Sequence, residues 1–160
     1  MRNDKIIEQL RRNAVALISL AIAITSLGYN TWRNEHTENN RNQRWASFEI
    51  LILLGELKEL IWLNHYDCNT SLRGNARTGW VYVESIEDLA LVLEDMSADS
   101  SVHLHEVWQA NWQAIDSEDT MSCNNRSEEQ VEQGRLAKDE ILGAIGEVRQ
   151  DILRILHALD

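Results

Sequence analysis

The chain contains no proline and only seven glycines. Proline removes a backbone donor and clashes with the preceding helical turn, and glycine weakens a helix interior. With neither in quantity, helices can run long, and the expected fold class is all-α. Positive charge is also scarce, with 15 Lys and Arg against 26 Asp and Glu, a net charge of −11. An acidic domain repels nucleic acid and anionic headgroups alike, which excludes nucleic acid as an expected partner. The sequence has no glycine-rich phosphate loop and no nucleophile motif. No two titratable residues are spaced for acid–base work. We therefore expect no enzymatic activity and no cofactor.

Cysteine is represented only by Cys68 and Cys123. In an exported domain an even count permits a disulfide. Closing a loop of about 56 residues would stabilise by roughly 4 kcal/mol in the chain-entropy account. Two unrelated free thiols are the equal alternative.

What the chain does have is a long apolar run. Residues 14–27 read AVALISLAIAITSL, without a charge, between Arg11 and Arg12 on one side and Arg33 and Glu35 on the other. As a helix, residues 14–32 would extend about 28 Å, close to the roughly 30 Å of bilayer hydrocarbon. Tyr29 and Trp32 stand at its far end, where amphipathic rings favour the headgroup layer. The rival readings are a buried helix of a soluble protein and a cleaved secretory signal. A buried helix usually keeps one polar stripe, and this run is apolar all round. A signal would end near Ala21 and Ala23, but the apolar run passes both without a breaker. Residues 13–32 are therefore expected to be an uncleaved anchor, with the lipid bilayer as a partner.

Charge differs on the two sides of residue 44. Residues 1–44 carry net +3 and residues 45–160 carry net −14. Arg2, Lys5, Arg11 and Arg12 precede the run, and Arg33, Arg41 and Arg44 follow it. The positive-inside rule then places the N-terminus in the cytoplasm. The remainder would be periplasmic, on a single pass through a bacterial inner membrane.

The organisation expected is a cytoplasmic lead (residues 1–12, with Ile6, Ile7 and Leu10 on one side), the anchor (13–32), a polar stalk (33–44) and an acidic helical bundle (45–160). The stalk, RNEHTENNRNQR, has no apolar residue and nothing that breaks a helix outright, so it is expected to continue the anchor helix. Residues 45–66 form the central helix of the bundle. Its Glu49, Glu56, Lys58 and Glu59 make a second span improbable. Residues 67–79 read as a connector. A helix to about residue 96 follows, with WVYV at 80–83 as a possible extended opening and Ser85 with Asp88 as a capping-box variant. A third helix runs over residues 101–115, capped by Asp99 and Ser100. The last spans residues 127–159 behind the capping box Ser127-x-x-Gln130. Two short helices are expected to cross the top of the bundle while the last returns antiparallel to the first.

Within the last helix, Ile141, Ile145, Val148, Ile152, Ile155 and Leu159 alternate spacings of four and three, a heptad seam. Leu142 and Leu156 widen it toward a globular stripe. Trp108 and Trp112 share a helix face, and with Trp62 and Trp80 they could line an aromatic pocket, although core packing is the commoner use of tryptophan. These seam residues with Trp108 and Trp112 are the candidate interaction residues. His103 and His105 lie two apart and so face differently on a helix. They read as solvated surface, and His65 with Cys68 lacks the second ligand pair that zinc needs. No metal site is expected.

The stretches NAVALISLAIA (13–23), GYNTWRNE (28–35), NRN (40–42), HYD (65–67), GWVYV (79–83) and the ending ALD (158–160) resemble a family of small uncharacterised proteobacterial single-pass membrane proteins. The resemblance implies an anchored helical domain and brings no catalytic or binding residue with it. The layout is also similar to chemoreceptor sensor domains, without their second span or signalling module. Two functions follow as expectations. The first is a non-catalytic accessory protein that associates through its helices with a membrane complex or as a homo-oligomer. The second is a periplasmic sensor module for a small ligand.

The anchor is tested directly. Leu20→Arg with Ile24→Arg should move the protein out of the membrane fraction, whereas carbonate washing should leave the unaltered protein behind in it. Release of the unaltered protein by carbonate would remove the span.

Overall fold

The computed structural model describes residues 9, 11–66, 76–93, 99–115 and 127–159. Among them are four helices and no strand: α1 (Ala14–Tyr66), α2 (Ala76–Ala90), α3 (Asp99–Ile115) and α4 (Glu128–Ala158). The fold is all-α, as expected. Two compact units are distinguished, Met1–Arg41 and Asn42–Asp160. Ile6, Ile7, Leu10, Cys68 and Cys123 lie outside the described residues.

In the first unit the apolar part of α1 is long and apolar enough to cross a membrane, and none of that window is buried. Val15, Ile18, Ile22, Ile24 and Leu27 are all exposed. Its threonine hydroxyls are satisfied within the helix. Thr25 Oγ1 donates to the Ala21 carbonyl at 2.8 Å and Thr31 Oγ1 to the Leu27 carbonyl at 3.0 Å, back-bonds that hide a polar group from an apolar surround. Tyr29 and Trp32 follow with ring centroids 6.2 Å apart, and His36 stacks on Trp32 at 5.9 Å. Residues 33–44 are helical, consistent with a segment that lacks proline and glycine.

In the second unit each helix supplies one apolar stripe. From α1 come Ala46, Ile50, Leu54, Leu57 and Ile61, from α2 Val83, Ile86 and Ala90, and from α3 Leu104, Trp108 and Ile115. From α4 come Ile141, Ile145, Val148, Ile152 and Ile155. Contacts between helices fix their directions. The Arg44 guanidinium donates to the Leu159 carbonyl, and Lys138 Nζ donates to Tyr66 Oη at 3.2 Å. The start of this part of α1 thus meets the end of α4, and its end meets the start of α4. Asn111 Nδ2 donates to Glu140 Oε2, and His103 lies near Glu147, so α3 and α4 are antiparallel. Glu87 meets His105, and Gly79 meets Trp108, so α2 and α3 are antiparallel too. The result is an up-down-up-down bundle.

Three expectations are corrected. The two middle helices do not cross the top of the bundle. They lie along it, because Val83, Ile86, Leu104 and Trp108 are all buried in the shared core. WVYV is helical, and α2 begins at Ala76, inside the expected connector. Gly79, Val83, Ile86 and Ala90 fall four, three and four apart, a helical face that outweighs the local β preference of valine and the aromatics. Ser85 lies in mid-helix and caps nothing. The end of α2 instead tightens into three i→i−3 bonds, from Leu91, Val92 and Leu93 to Asp88, Leu89 and Ala90, as helix ends commonly do.

The α4 cap is as expected. Gln130 N donates to Ser127 Oγ at 3.2 Å and Ser127 N to Gln130 Oε1 at 3.0 Å, which satisfies two orphan donors. Gly79 has a packing reason. A Cβ there would lie 2.3 Å and 2.5 Å from Trp108 ring atoms, so only glycine admits the indole at this closeness.

The seam supplies the stability test. Ile152 is fully buried, and Ile152→Asp would place a carboxylate among apolar neighbours, a change expected to cost roughly 3–5 kcal/mol. Chemical unfolding of the full chain in detergent measures it, and an unchanged midpoint would contradict the burial.

Candidate functional site

The seam residues proposed from sequence for interaction are placed inside the bundle. Ile141, Ile145, Val148, Ile152 and Ile155 are buried against the chain's own helices, and Leu159 packs partly buried beside them. A partner could reach them only by opening the bundle. Heptad spacing marks a buried stripe without saying whose helix buries it, which is why sequence placed an interface here.

The tryptophans divide. Trp80, Trp108 and Trp112 come together, with Trp80 edge-on to Trp108 and to Trp112 at 6.4 Å between centroids in each case. Trp108 is fully buried over Gly79 and Trp112 is half-buried, so this cluster is filled core. The Trp108 Nε1 donor finds no partner among the described residues. Trp62 is not part of the cluster. It sits exposed on α1 with Lys58 Nζ 4.8 Å from its ring centroid.

His105 is not the solvated histidine expected. Its Nδ1 lies 2.6 Å from Glu87 Oε2, and the Trp80 ring meets it edge-on at 5.5 Å. The pair ties α3 to α2. His103 is half-exposed, 3.9 Å from Glu147. Among the described residues no group of three His, Cys, Asp or Glu is placed to hold a metal ion.

The outward face of α1 is where the second unit leaves apolar surface uncovered. Trp45, Phe48, Ile52, Trp62 and Tyr66 are 62, 57, 55, 47 and 66 % exposed. Their positions, with Gly55 and Glu59 between them, are spaced three, four, three, four, three and four. All seven fall on the a and d positions of one heptad register. In that register the core residues Ala46, Ile50, Leu54, Leu57 and Ile61 occupy b, c and f. The helix thus has two apolar faces, one closed by its own bundle and one open. Elsewhere in the second unit the exposed apolar residues, such as Val81, Val131 and Leu136 and the adjacent Leu91 and Val92 after α2, form no comparable stripe, which is ordinary for a soluble surface.

The lower part of the stripe is concave. Gly55, Lys58, Glu59, Trp62, Leu63 and Tyr66 line an open groove of about 760 Å³. No atom lies within 4 Å of where a Gly55 Cβ would be, so the missing side chain opens its floor. At the Tyr66 end the Lys138 ammonium lies 5.4 Å from the Tyr66 ring centroid. The Tyr66 hydroxyl and the carboxylate of Asp139 hold the Lys138 ammonium above its ordinary value. At the other flank burial, with Glu56 adding to it, pushes the Tyr82 phenol up. Arg135 pairs with Glu132 and Asp139 on the outside of α4, and its guanidinium draws the Glu132 carboxyl below its usual range. Such exposed pairs contribute little to stability.

In sequence the apolar residues of 45–66 cover more than one face of the central helix, without showing which face the bundle buries. The signal that separates the two faces is the heptad alternation of Trp45, Phe48, Ile52, Trp62 and Tyr66. Gly55 and Glu59 interrupt it and conceal it from a count of apolar residues.

Compared with models of known families, with curated proteins and with solved structures, the chain matches none.

Proposed function

We propose that the protein is a membrane-anchored, non-catalytic interaction protein that works through helix–helix association. Residues 13–32 anchor it as a single pass in a bacterial inner membrane. Its N-terminus lies in the cytoplasm and its acidic bundle in the periplasm, where it serves as an accessory subunit or as a self-associating one. One observation carries the association reading. The bundle closes a core of its own, yet α1 keeps an open aromatic stripe on its far side. A long, regular apolar stripe on a folded surface is the mark of a protein contact. Aromatic residues are enriched at such contacts. The anchor reading is supported by a fully exposed apolar window, by the paired rings of Tyr29 and Trp32, and by arginines at both flanks.

The small-ligand alternative is favoured less by the same geometry. A ligand pocket encloses most of its guest, whereas the groove over Gly55 is open along its length and continuous with the stripe.

Trp45→Glu with Trp62→Glu tests the association. Both side chains face solvent, so the unfolding midpoint of the dissociated chain should stay within the equivalent of about 0.5 kcal/mol. The native assembly, sized after extraction in mild detergent, should shrink. An unchanged assembly would end the reading.

Orientation is read separately. A His157→Cys chain lacking Cys68 and Cys123 should react with impermeant maleimide once the outer membrane is opened and the inner one is intact. Reaction only after lysis would put the bundle in the cytoplasm and exclude a disulfide formed in an oxidising compartment.

A further inference from the structure

We infer that the occupant of the α1 stripe is the same stripe of a second copy of this chain, laid parallel and in register. The inference rests on the interaction reading above and names its partner. The first support is the shape of the groove. In knobs-into-holes packing each side chain enters a hole made by four residues of the facing helix, spaced three, four and seven apart. The groove is lined by Gly55, Lys58, Glu59, Trp62, Leu63 and Tyr66. These six make two successive holes, 55/58/59/62 and 59/62/63/66. In a parallel, in-register pair the knobs that enter them are Glu59 and Trp62 of the second copy.

Charge selects the partner and the direction. Glu59 of one copy enters beside Lys58 of the other, and the open floor at Gly55 gives it room. The two Glu59 carboxylates face across the axis, each with a lysine of the opposite copy alongside. The remaining layers match like with like: Trp45 on Trp45, Phe48 on Phe48, Ile52 on Ile52, Trp62 on Trp62. The best antiparallel register sets Phe48 on Tyr66 and Ile52 on Trp62. It also sets Glu56 beside Glu56 and Lys58 beside Lys58 at its centre, two like-charge pairs without a compensating neighbour, against the single Glu59 pair that Lys58 offsets in the parallel register. Insertion of both copies with the same topology also favours parallel pairing. In sequence the alternation counted back from Trp45 falls on Arg41, Glu38, Asn34 and Thr31, then on Leu27, Ile24, Leu20 and Leu17.

Area is sufficient. Large apolar side chains present roughly 200 Å² each. At their exposed fractions, the five stripe residues offer about 600 Å² per copy, or about 1,200 Å² in the pair. That is the lower end of specific interfaces.

The experiment uses the full chain in its membrane with Cys68→Ser and Cys123→Ser. Ile52→Cys chains should form disulfide-linked homodimers on mild copper–phenanthroline oxidation, and Leu136→Cys chains, altered on the outside of α4, should not. Chains carrying Phe48→Cys mixed with chains carrying Tyr66→Cys should give no mixed dimer. In detergent, Ile52→Glu should raise the dimer dissociation constant by roughly 100-fold or more, since it buries unpaired carboxylates, with the unfolding midpoint of the diluted, dissociated monomer unchanged. Three results each overturn the proposal: a monomeric native chain, equal cross-linking at positions 52 and 136, or efficient 48-to-66 cross-linking. The broader reading fails differently. It falls if carbonate strips the protein from membranes. It survives if a firmly anchored monomer loses some other membrane protein on Ile52→Glu, an outcome that sinks the second-copy proposal alone.

Discussion

Packing between α1 and α4 is the constraint on which the second unit depends. The two helices run antiparallel, joined at one end by Arg44 to the Leu159 carbonyl and at the other by Lys138 to Tyr66. Between these ends the Ile141, Ile145, Val148, Ile152 and Ile155 stripe closes on a core shared with Ala46, Ile50, Leu54, Leu57 and Ile61. Once those faces are committed, the rest follows. α2 and α3 must fill the remaining side, and they do so lengthwise. Gly79 lets Trp108 reach the centre, and His105 with Glu87 ties the two short helices together. The face of α1 opposite the core is then left without a partner among the described residues.

Much of this was legible in the sequence, for identifiable reasons. Missing proline permits a helix as long as Ala14–Tyr66. The Ser127 to Gln130 box marks the α4 start because its hydrogen bonds are local. The α4 seam is visible because its period is unbroken from Ile141 to Ile155. What escaped depends on tertiary context. WVYV has a β-like pattern over four residues, and only its partners across the core reveal the helical one. The seam stands as a candidate interaction surface in sequence, although its width suits packing within one bundle, because period identifies burial and not the burying chain. The α1 stripe was hidden by Gly55 and Glu59, two residues that look like breaks in an apolar face and act as parts of a groove.

Charge sets a second condition on any use of that stripe. Residues 45–160 carry net −14, so two bundles repel at long range, an effect screened over about 8 Å at physiological ionic strength. Along the stripe the cations Arg44 and Lys58 of α1 and Lys138 of α4 stand among the carboxylates Glu49, Glu56 and Glu59. Association through α1 therefore relies on pairing these cations with those carboxylates. It also gains in salt, as contacts between like-charged bodies do when their repulsion is screened.

An interface of about 1,200 Å² with a carboxylate in one layer would be modest for two proteins free in solution. Anchoring changes the comparison. Chains held in one bilayer lose part of their translational and orientational freedom in advance. That freedom is a large share of the cost of association, and confinement acts as a raised effective concentration. A weak, polar-interrupted seam then suffices, and a strong one would be a liability. An uninterrupted apolar stripe on a newly made chain invites the wrong helix, whereas Glu59 admits only a neighbour that places a cation beside it and leaves space at its floor. Polar residues at such positions commonly fix register at a cost in affinity. On this account Gly55, Lys58 and Glu59 set the selectivity of the stripe, and Trp45, Phe48, Ile52, Trp62 and Tyr66 supply its affinity.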